Sequence, residues 1–331
     1  MSIAVLPVEL TDRTLAAELA ADMTGVESAL REIMHPTDEV LTEVARHGME
    51  AGGKRFRPML VLLAARFGDP TDPRVEPAAV AVELTHLGSL FHDDVMDEAD
   101  IRRGQESVNA RWSNSVAILA GDWLFARASD ILADLGPEAI RIQAETFSRL
   151  VSGQLAETVG PRPGQDPLEH YLHVISEKTG SLIATAGRFG GMFSGAPDKQ
   201  TDVIARACEQ IGIAWQLTDD IIDVVSESDE SGKSPGTDLR QGVRTLPVFY
   251  ALRPGGCEPR LRELLLRPDL ADPDLHAEAL TLLRSSQALE AARSDIRGWA
   301  SGARDLLATL PDVPARTAFE SLCDYVITRT G

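Results

Sequence analysis

Apolar side chains recur at helical spacing from about residue 10 to the end of this chain, in long runs broken by Gly and Pro. Strand formers are nowhere gathered into alternating runs, and aromatics supply only 5% of the residues. With 44% of the chain hydrophobic, the architecture that buries such runs is helix on helix, so the expected fold class is all-α, a single large helical bundle. Helices are expected at 10–34, 38–51, 58–67, 77–95, 114–135, 137–159, 167–193, 202–225, 247–252, 274–283, 288–310 and 314–328. A long polar loop is expected at 226–242. A chain of 331 residues is large for one core and short for two, and one domain over 1–331 is the expectation.

Two of the apolar helices carry the same acidic pattern, Asp93-Asp94-Val95-Met96-Asp97 and Asp219-Asp220-Ile221-Ile222-Asp223. Residues i and i+4 stack on one helix face, so Asp93 and Asp97 can share one ion, as can Asp219 and Asp223. Asp94 and Asp220 point about 100° away and suit a second ion or a supporting role. Without a cation, like charges at this spacing weaken a helix. A lone acidic triplet is as often a solvated surface, but Leu87, Leu90 and Phe91 flank the first cluster, and Leu217, Ile221 and Val224 the second. Carboxylates in apolar helices are costly unless they bind something. Hard oxygens favour Mg2+ shared with a phosphate ligand.

The matching cations are dispersed. Gly52-Gly53-Lys54-Arg55-Phe56-Arg57-Pro58 sets three at the start of a helix, where backbone N–H groups also favour anions. Arg102-Arg103 follows the first cluster, Lys178-Thr179-Gly180 lies in a long helix with Gly180 as a kink, and Lys233 sits in the 226–242 loop. Gln216 is one turn before Asp220. His86, two turns before Asp93, reads by spacing alone as a packed core histidine.

Charge and cysteine usage narrow the partners. With 32 Lys and Arg against 51 Asp and Glu the net charge is −19, which excludes a basic nucleic-acid surface and simple docking on anionic lipid. The three cysteines are scattered, so no zinc site or disulfide framework is expected and a reducing cytoplasm is. No signal peptide or transmembrane run is expected.

Taken in order, GGKRFRP at 52–58, HDDVMDEADIRRG at 92–104, KTG at 178–180 and QLTDDIID at 216–223 resemble the trans-isoprenyl diphosphate synthase, or polyprenyl synthetase, family. The resemblance runs from about Gly52 to Pro247, the motif-bearing core, with C-terminal helices over 258–331 fitting the same isoprenoid synthase fold around a central cavity. It implies head-to-tail condensation of isopentenyl diphosphate with an allylic diphosphate. Three Mg2+ ions would be held by Asp93, Asp94, Asp97, Asp219, Asp220 and Asp223, with Asp93, Asp97, Lys178 and Asp219 central to catalysis. Lys54, Arg57, His86 and Arg103 would hold isopentenyl diphosphate. Arg102, Lys178, Thr179, Gln216 and Lys233 would hold the allylic partner. The family often has a lysine where this chain has Val243, with Arg244 next. A homodimer is implied, with the 114–135 helix as candidate interface, and peripheral membrane contact is expected only for product release.

Ala81, Thr85, Gly88 and Ser89, upstream of Asp93, are small. In such enzymes bulky residues there shorten the product, so a heptaprenyl to decaprenyl product is expected, with geranylgeranyl diphosphate as the alternative. Trp123, Phe125 and Phe147 are the residues that could close the tunnel instead. A class I terpene cyclase would need neither the second cation set nor two aspartate clusters; a non-catalytic subunit would lose its aspartates; a lipid-carrying scaffold would release no diphosphate.

Overall fold

The computed structural model describes residues 10–34, 38–226, 235–267 and 270–329. These are α1 (Arg13–Ile33), α2 (Glu39–Glu50), α3 (Phe56–Ala64), α4 (Val75–Met96), β1 (Ile101–Arg102), β2 (Gln105–Glu106), α5 (Val108–Arg111), α6 (Asn114–Leu135), α7 (Pro137–Val159), α8 (Pro167–Ile175), a π-turn at Ser176–Gly180, α9 (Ser181–Phe193), α10 (Asp198–Val225), α11 (Thr237–Arg240), α12 (Leu246–Leu252), α13 (Pro259–Leu265), α14 (Pro273–Arg284), α15 (Gln287–Leu307) and α16 (Pro314–Thr328). The fold class is all-α, as the periodicity requires.

Helix boundaries follow local chemistry. Asp12, Asp38 and Asp166 each accept a backbone N–H in the first turn of α1, α2 and α8, and Pro begins α8, α13 and α14. Three departures from the sequence reading matter. The expected helix over 167–193 is interrupted by the π-turn, so the kink at Gly180 is real but takes a wider form. The expected loop after Val225 contains α11, and residues 227–234 lie outside the described part. The segment after Asp97 forms the only strands among the described residues, a hairpin pairing Ile101 with Glu106 and Arg102 with Gln105.

The fold comprises two compact units. One is drawn from residues up to Ser148 with Leu182–Cys208 and Leu306–Ser321; the other from Arg149–Ser181, Glu209–Asp305 and residues from Leu322 on. In the first, α4 packs along α6 and α3, and α1 covers α3 and α4. α3 is apolar all round and is buried from Pro58 to Ala64, as is α4 over most of its length to Leu87. Leu60, Leu63, Leu84, Leu124 and Phe189 are among its fully buried side chains. In the second unit, Ile213, Leu217 and Ile221 of α10 pack on Leu246, Ile296 and Val326, and Val224 joins a cluster with Leu264 and Leu283.

Close backbone approach fixes part of the first unit. A Cβ on Gly190 of α9 would lie 2.6 Å from Ala64 Cβ and closer still to the Val61 carbonyl oxygen. Gly190→Ala is therefore expected to lower unfolding stability by about 2 kcal/mol through overpacking. Urea denaturation checks this: the midpoint should fall at unchanged slope, and an unchanged midpoint would show that α9 and α3 can part at no cost.

Candidate functional site

In the first unit the glycine turn decides where the cations point. Gly52 and Gly53 have φ of 87° and 151°, and Arg55 has φ 45°, all left-handed. Glycine tolerates this; arginine at that angle signals a constraint. The constraint is visible. The Arg55 guanidinium turns into the protein, where Nε donates to Glu27 at 2.7 Å, Nη1 to Glu83 at 3.0 Å and Nη2 to the Met49 carbonyl at 3.1 Å. Glu83 is buried in α4, so Arg55 is its counter-ion rather than a free cation of the motif.

The other cations of this unit face one another. Burial draws the Arg57 guanidinium down to about 10, with Glu83 opposing and Arg103 reinforcing the shift. Its Nε is buried with no hydrogen-bond partner among the described residues. Burial, then the nearby Arg57 and Arg103, push His86 well below its usual value, so the imidazole is neutral. Arg103 donates to the Gly52 carbonyl, and a Cβ on Gly53 would lie 2.5 Å from its Nη1, which is why the turn needs glycine there. Arg57, His86 and Arg103 are thus brought together, with Lys54 exposed beside them. Such a cluster holds more positive charge than Glu83 and Asp93 offset, which suits an anion.

The first aspartate cluster ends α4. The Asp97 N–H donates to the Asp93 carbonyl, which places the two on successive turns. Asp94 is buried, and Arg102 closes on it, with Nε 2.7 Å from Oδ1. Burial raises its pKa, and the Arg102 hydrogen bond opposes that. Arg103 and Gly104, at φ 54° and 79°, make the two-residue turn of the β1–β2 hairpin. The hairpin sends neighbouring arginines to different partners, Arg102 to Asp94 and Arg103 to the glycine turn.

Of the expected chain-length residues, Ala81 and Thr85 are fully buried; Gln143 Nε2 donates to the Thr85 hydroxyl at 2.7 Å. A Cβ on Gly88 would lie 3.1 Å from the Phe125 ring and from the Gly121 carbonyl oxygen. Phe125 in turn stacks on Phe147, with centroids 4.6 Å apart. Ser89 is half-buried and donates to the His86 carbonyl.

In the second unit a cavity of about 470 Å3 is lined by Tyr171, Lys178, Thr179, Gln216, Asp220 and Arg244, among others. Its polar groups are chained. The Thr179 hydroxyl donates to Gln216 Oε1 at 3.3 Å, Gln216 Nε2 donates to Asp220 Oδ1 at 3.1 Å, and the Tyr171 hydroxyl donates to Asp220 Oδ2. Burial raises the Asp220 carboxyl to about 7, against those two hydrogen bonds. Lys178 Nζ meets Glu157 at 2.6 Å. Asp219 pairs with Arg329 at 2.8 Å, whose guanidinium also covers Trp215. Asp223 accepts the backbone N–H groups of Thr237 and Asp238 and so caps α11. Lys233 lies outside the described residues.

Among the described residues no three Asp, Glu, His or Cys side chains form a closed metal cage. Asp93, Asp97, Asp219 and Asp223 are half-buried or exposed, while Asp94 and Asp220 are buried and held by their own donors. Such a donor set suits a hard cation that shares its coordination with phosphate and water.

Sequence reasoning missed Arg55, Glu157, Tyr171 and Arg329. Two carried a signal. Glu83, an acid within the apolar run at 78–87 of α4, called for a buried cation, and Tyr171 lies two turns before Lys178. Because Arg55 balances buried Glu83, Arg55→Met should cost about 3 kcal/mol or more. Arg57→Met, which removes an unpartnered buried Nε, should cost less than about 1 kcal/mol. Guanidinium denaturation of the two variants checks the contrast, and equal losses would refute it.

The comparisons with known proteins agree with one another. The model of the family described as Polyprenyl synthetase matches residues 38–283. A nonaprenyl diphosphate synthase of Mycobacterium tuberculosis is 50% identical, over 99% of this chain and 98% of its own length. The crystal structure of a geranylgeranyl pyrophosphate synthase from Corynebacterium glutamicum, complexed with calcium and isoprenyl diphosphate, is 44% identical with a TM-score of 0.88, covering 98% of this chain and 100% of that one. The structure of a decaprenyl diphosphate synthase from Rhodobacter capsulatus is 36% identical with a TM-score of 0.86, covering 96% of this chain and 99% of that one.

Proposed function

We propose that this chain, which belongs to the polyprenyl synthetase family, is a Mg2+-dependent prenyltransferase that condenses isopentenyl diphosphate head to tail with an allylic diphosphate. The observation that carries the reading is the grouping of Arg57 and Arg103 around the neutral His86, present in the same chain as a polar cavity lined by Lys178 and Asp220. A cyclase handling one diphosphate needs only one such anion site. The family match crosses both compact units, which supports reading 1–331 as one functional domain.

In this reading Lys54, Arg57, His86 and Arg103 hold isopentenyl diphosphate, with the neutral imidazole donating one hydrogen bond. Lys178, Thr179 and Gln216 hold the allylic diphosphate, with Lys233 assisting. Arg102, paired with Asp94, fixes that carboxylate within the first aspartate cluster. Asp93, Asp94 and Asp97, and likewise Asp219, Asp220 and Asp223, would hold Mg2+, three ions in all, which when bound would supply Lewis-acid stabilisation of a departing diphosphate. Tyr171 and Gln216 orient Asp220 and partly offset the effect of its burial. Apolar helices exclude water from the allylic cation until the alkene of isopentenyl diphosphate attacks it, and the resulting cation then loses a proton to the released diphosphate to give the product alkene. Asp93→Ala should lower kcat by at least about a hundredfold, and EDTA should abolish diphosphate release until Mg2+ is restored. A phosphate-release assay with both substrates tests this; release that persists in EDTA would overturn the metal assignment.

The product assigned is long, heptaprenyl to decaprenyl, supported by the nonaprenyl and decaprenyl synthases among its relatives. Geranylgeranyl diphosphate is the second reading, favoured by the 44% identical Corynebacterium enzyme. Incubation with farnesyl diphosphate and labelled isopentenyl diphosphate separates them, since a single product of four isoprene units would sink the long-chain assignment. Ala81, Thr85, Gly88 and Ser89 are assigned to the wall beside the growing chain. Gly88 has no room for a larger residue, so Ser89→Phe is the cleaner probe and should shorten the product.

The active form assigned is a homodimer. Ile118 and Leu119 of α6 stay 42% and 67% exposed, an apolar surface that association would cover. Leu119→Glu should convert the protein to monomer in sedimentation analysis, and an unchanged mass would place the interface elsewhere. Among the described residues no helix is long and apolar enough to cross a membrane. Cys208, Cys257 and Cys323, none of them joined in a disulfide, support a cytoplasmic setting. Membrane contact is reserved for product release.

A further inference from the structure

The π-turn Ser176–Gly180 carries Lys178 and Thr179. A π-turn widens the helix and survives only where its surroundings favour it, often at functional sites. The surroundings here are one face of α7. Arg149 Nε donates to Glu177 at 2.9 Å and its Nη2 to Glu209 at 2.6 Å, and the Ser176 hydroxyl reaches the same Glu209 oxygen at 3.4 Å. One turn on, a Cβ at Gly153 would lie 2.8 Å from the Lys178 backbone nitrogen and 2.9 Å from Glu177 Cβ. One turn further, Glu157 meets Lys178 Nζ. Residues 149, 153 and 157 are spaced i, i+4, i+8 and share one stripe of the helix. That stripe reads the turn from end to end, with a forked cation, then bare backbone, then a carboxylate.

We propose that Arg149 and Gly153 are positioning residues for the allylic diphosphate, locking the π-turn so that Lys178 and Thr179 meet that anion in a fixed place. The inference rests on the assignment of Lys178 and Thr179 made above. Arg149 suits the task because its planar fork engages carboxylates of two different elements, Glu177 beside Lys178 and Glu209 of α10; a lysine ammonium is a point charge and cannot reproduce the fork. Gly153 suits it because any side chain would push the Lys178 backbone away.

The test is steady-state kinetics of the full chain with farnesyl diphosphate, isopentenyl diphosphate and Mg2+, comparing Arg149→Met, Arg149→Lys, Gly153→Ala and Lys178→Ala, with circular dichroism melting of each. Displacing the turn should raise the KM for farnesyl diphosphate at least about tenfold in Arg149→Met and Gly153→Ala, while the KM for isopentenyl diphosphate changes less than about twofold. Arg149→Lys, keeping the charge without the fork, should fall between wild type and Arg149→Met. Should Arg149→Met not fold, Arg149→Lys and Gly153→Ala carry the same reading. Both KM values rising together, or a lower melting temperature with unchanged KM values, would reduce Arg149 to a structural ion pair and overturn the proposal. If Lys178→Ala leaves the farnesyl diphosphate KM unchanged, the subsite assignment itself fails; if Lys178→Ala raises it and the Arg149 and Gly153 variants do not, only the positioning role fails.

Discussion

Moving a carboxylate from water into an apolar helical core costs several kcal/mol unless charge or hydrogen bonds meet it, and this chain does so at Glu83, Asp94 and Asp220. Each has its own answer, and each answer shapes the chain around it. Glu83 takes the Arg55 guanidinium, which goes with a left-handed backbone at Arg55, while Arg57 lies near His86 and Arg103. Asp94 takes Arg102, which returns on a hairpin whose tight turn is Arg103-Gly104. Asp220 takes neutral donors, the Tyr171 hydroxyl and the Gln216 amide. Satisfying buried acids and aiming exposed cations are one structural problem in this protein.

The two aspartate clusters look identical in sequence and are built differently. In the first, the middle carboxylate is neutralised by a full cation. In the second, hydrogen bonds alone support it, and burial leaves its pKa near 7. The outer carboxylates differ as well. Asp97 is exposed at a helix end, whereas Asp219 meets Arg329 and Asp223 caps α11. Equal charge patterns therefore offer unequal sites, because the neighbours that set them come from elsewhere in the chain.

Much of this was legible beforehand. The ends of α6, α7 and α16 fall where Gly, Pro and capping residues place them, since caps and breakers act locally. The chemistry-bearing residues were legible because acids and cations in apolar helices are expensive anomalies. Arg55 was not separable from Lys54 and Arg57, because three cations in one turn differ only in where the backbone sends them. The π-turn was legible only as a kink at Gly180. Its form depends on α7, which contributes Arg149 and a bare backbone at Gly153. α11 escaped notice because four residues carry too little periodicity to register.

The sequence by itself determined an all-helical chain, two acidic clusters in apolar helices and the residue types that could meet an anion. These are consequences of spacing along the chain, and spacing is what a sequence records. The tertiary structure decided which cation is consumed by Glu83, which carboxylates are spoken for and which remain open, and what holds Lys178 in place. Those depend on distances between residues far apart in the chain, and burial, which sets the strength of every one of these interactions, exists only once the helices have packed.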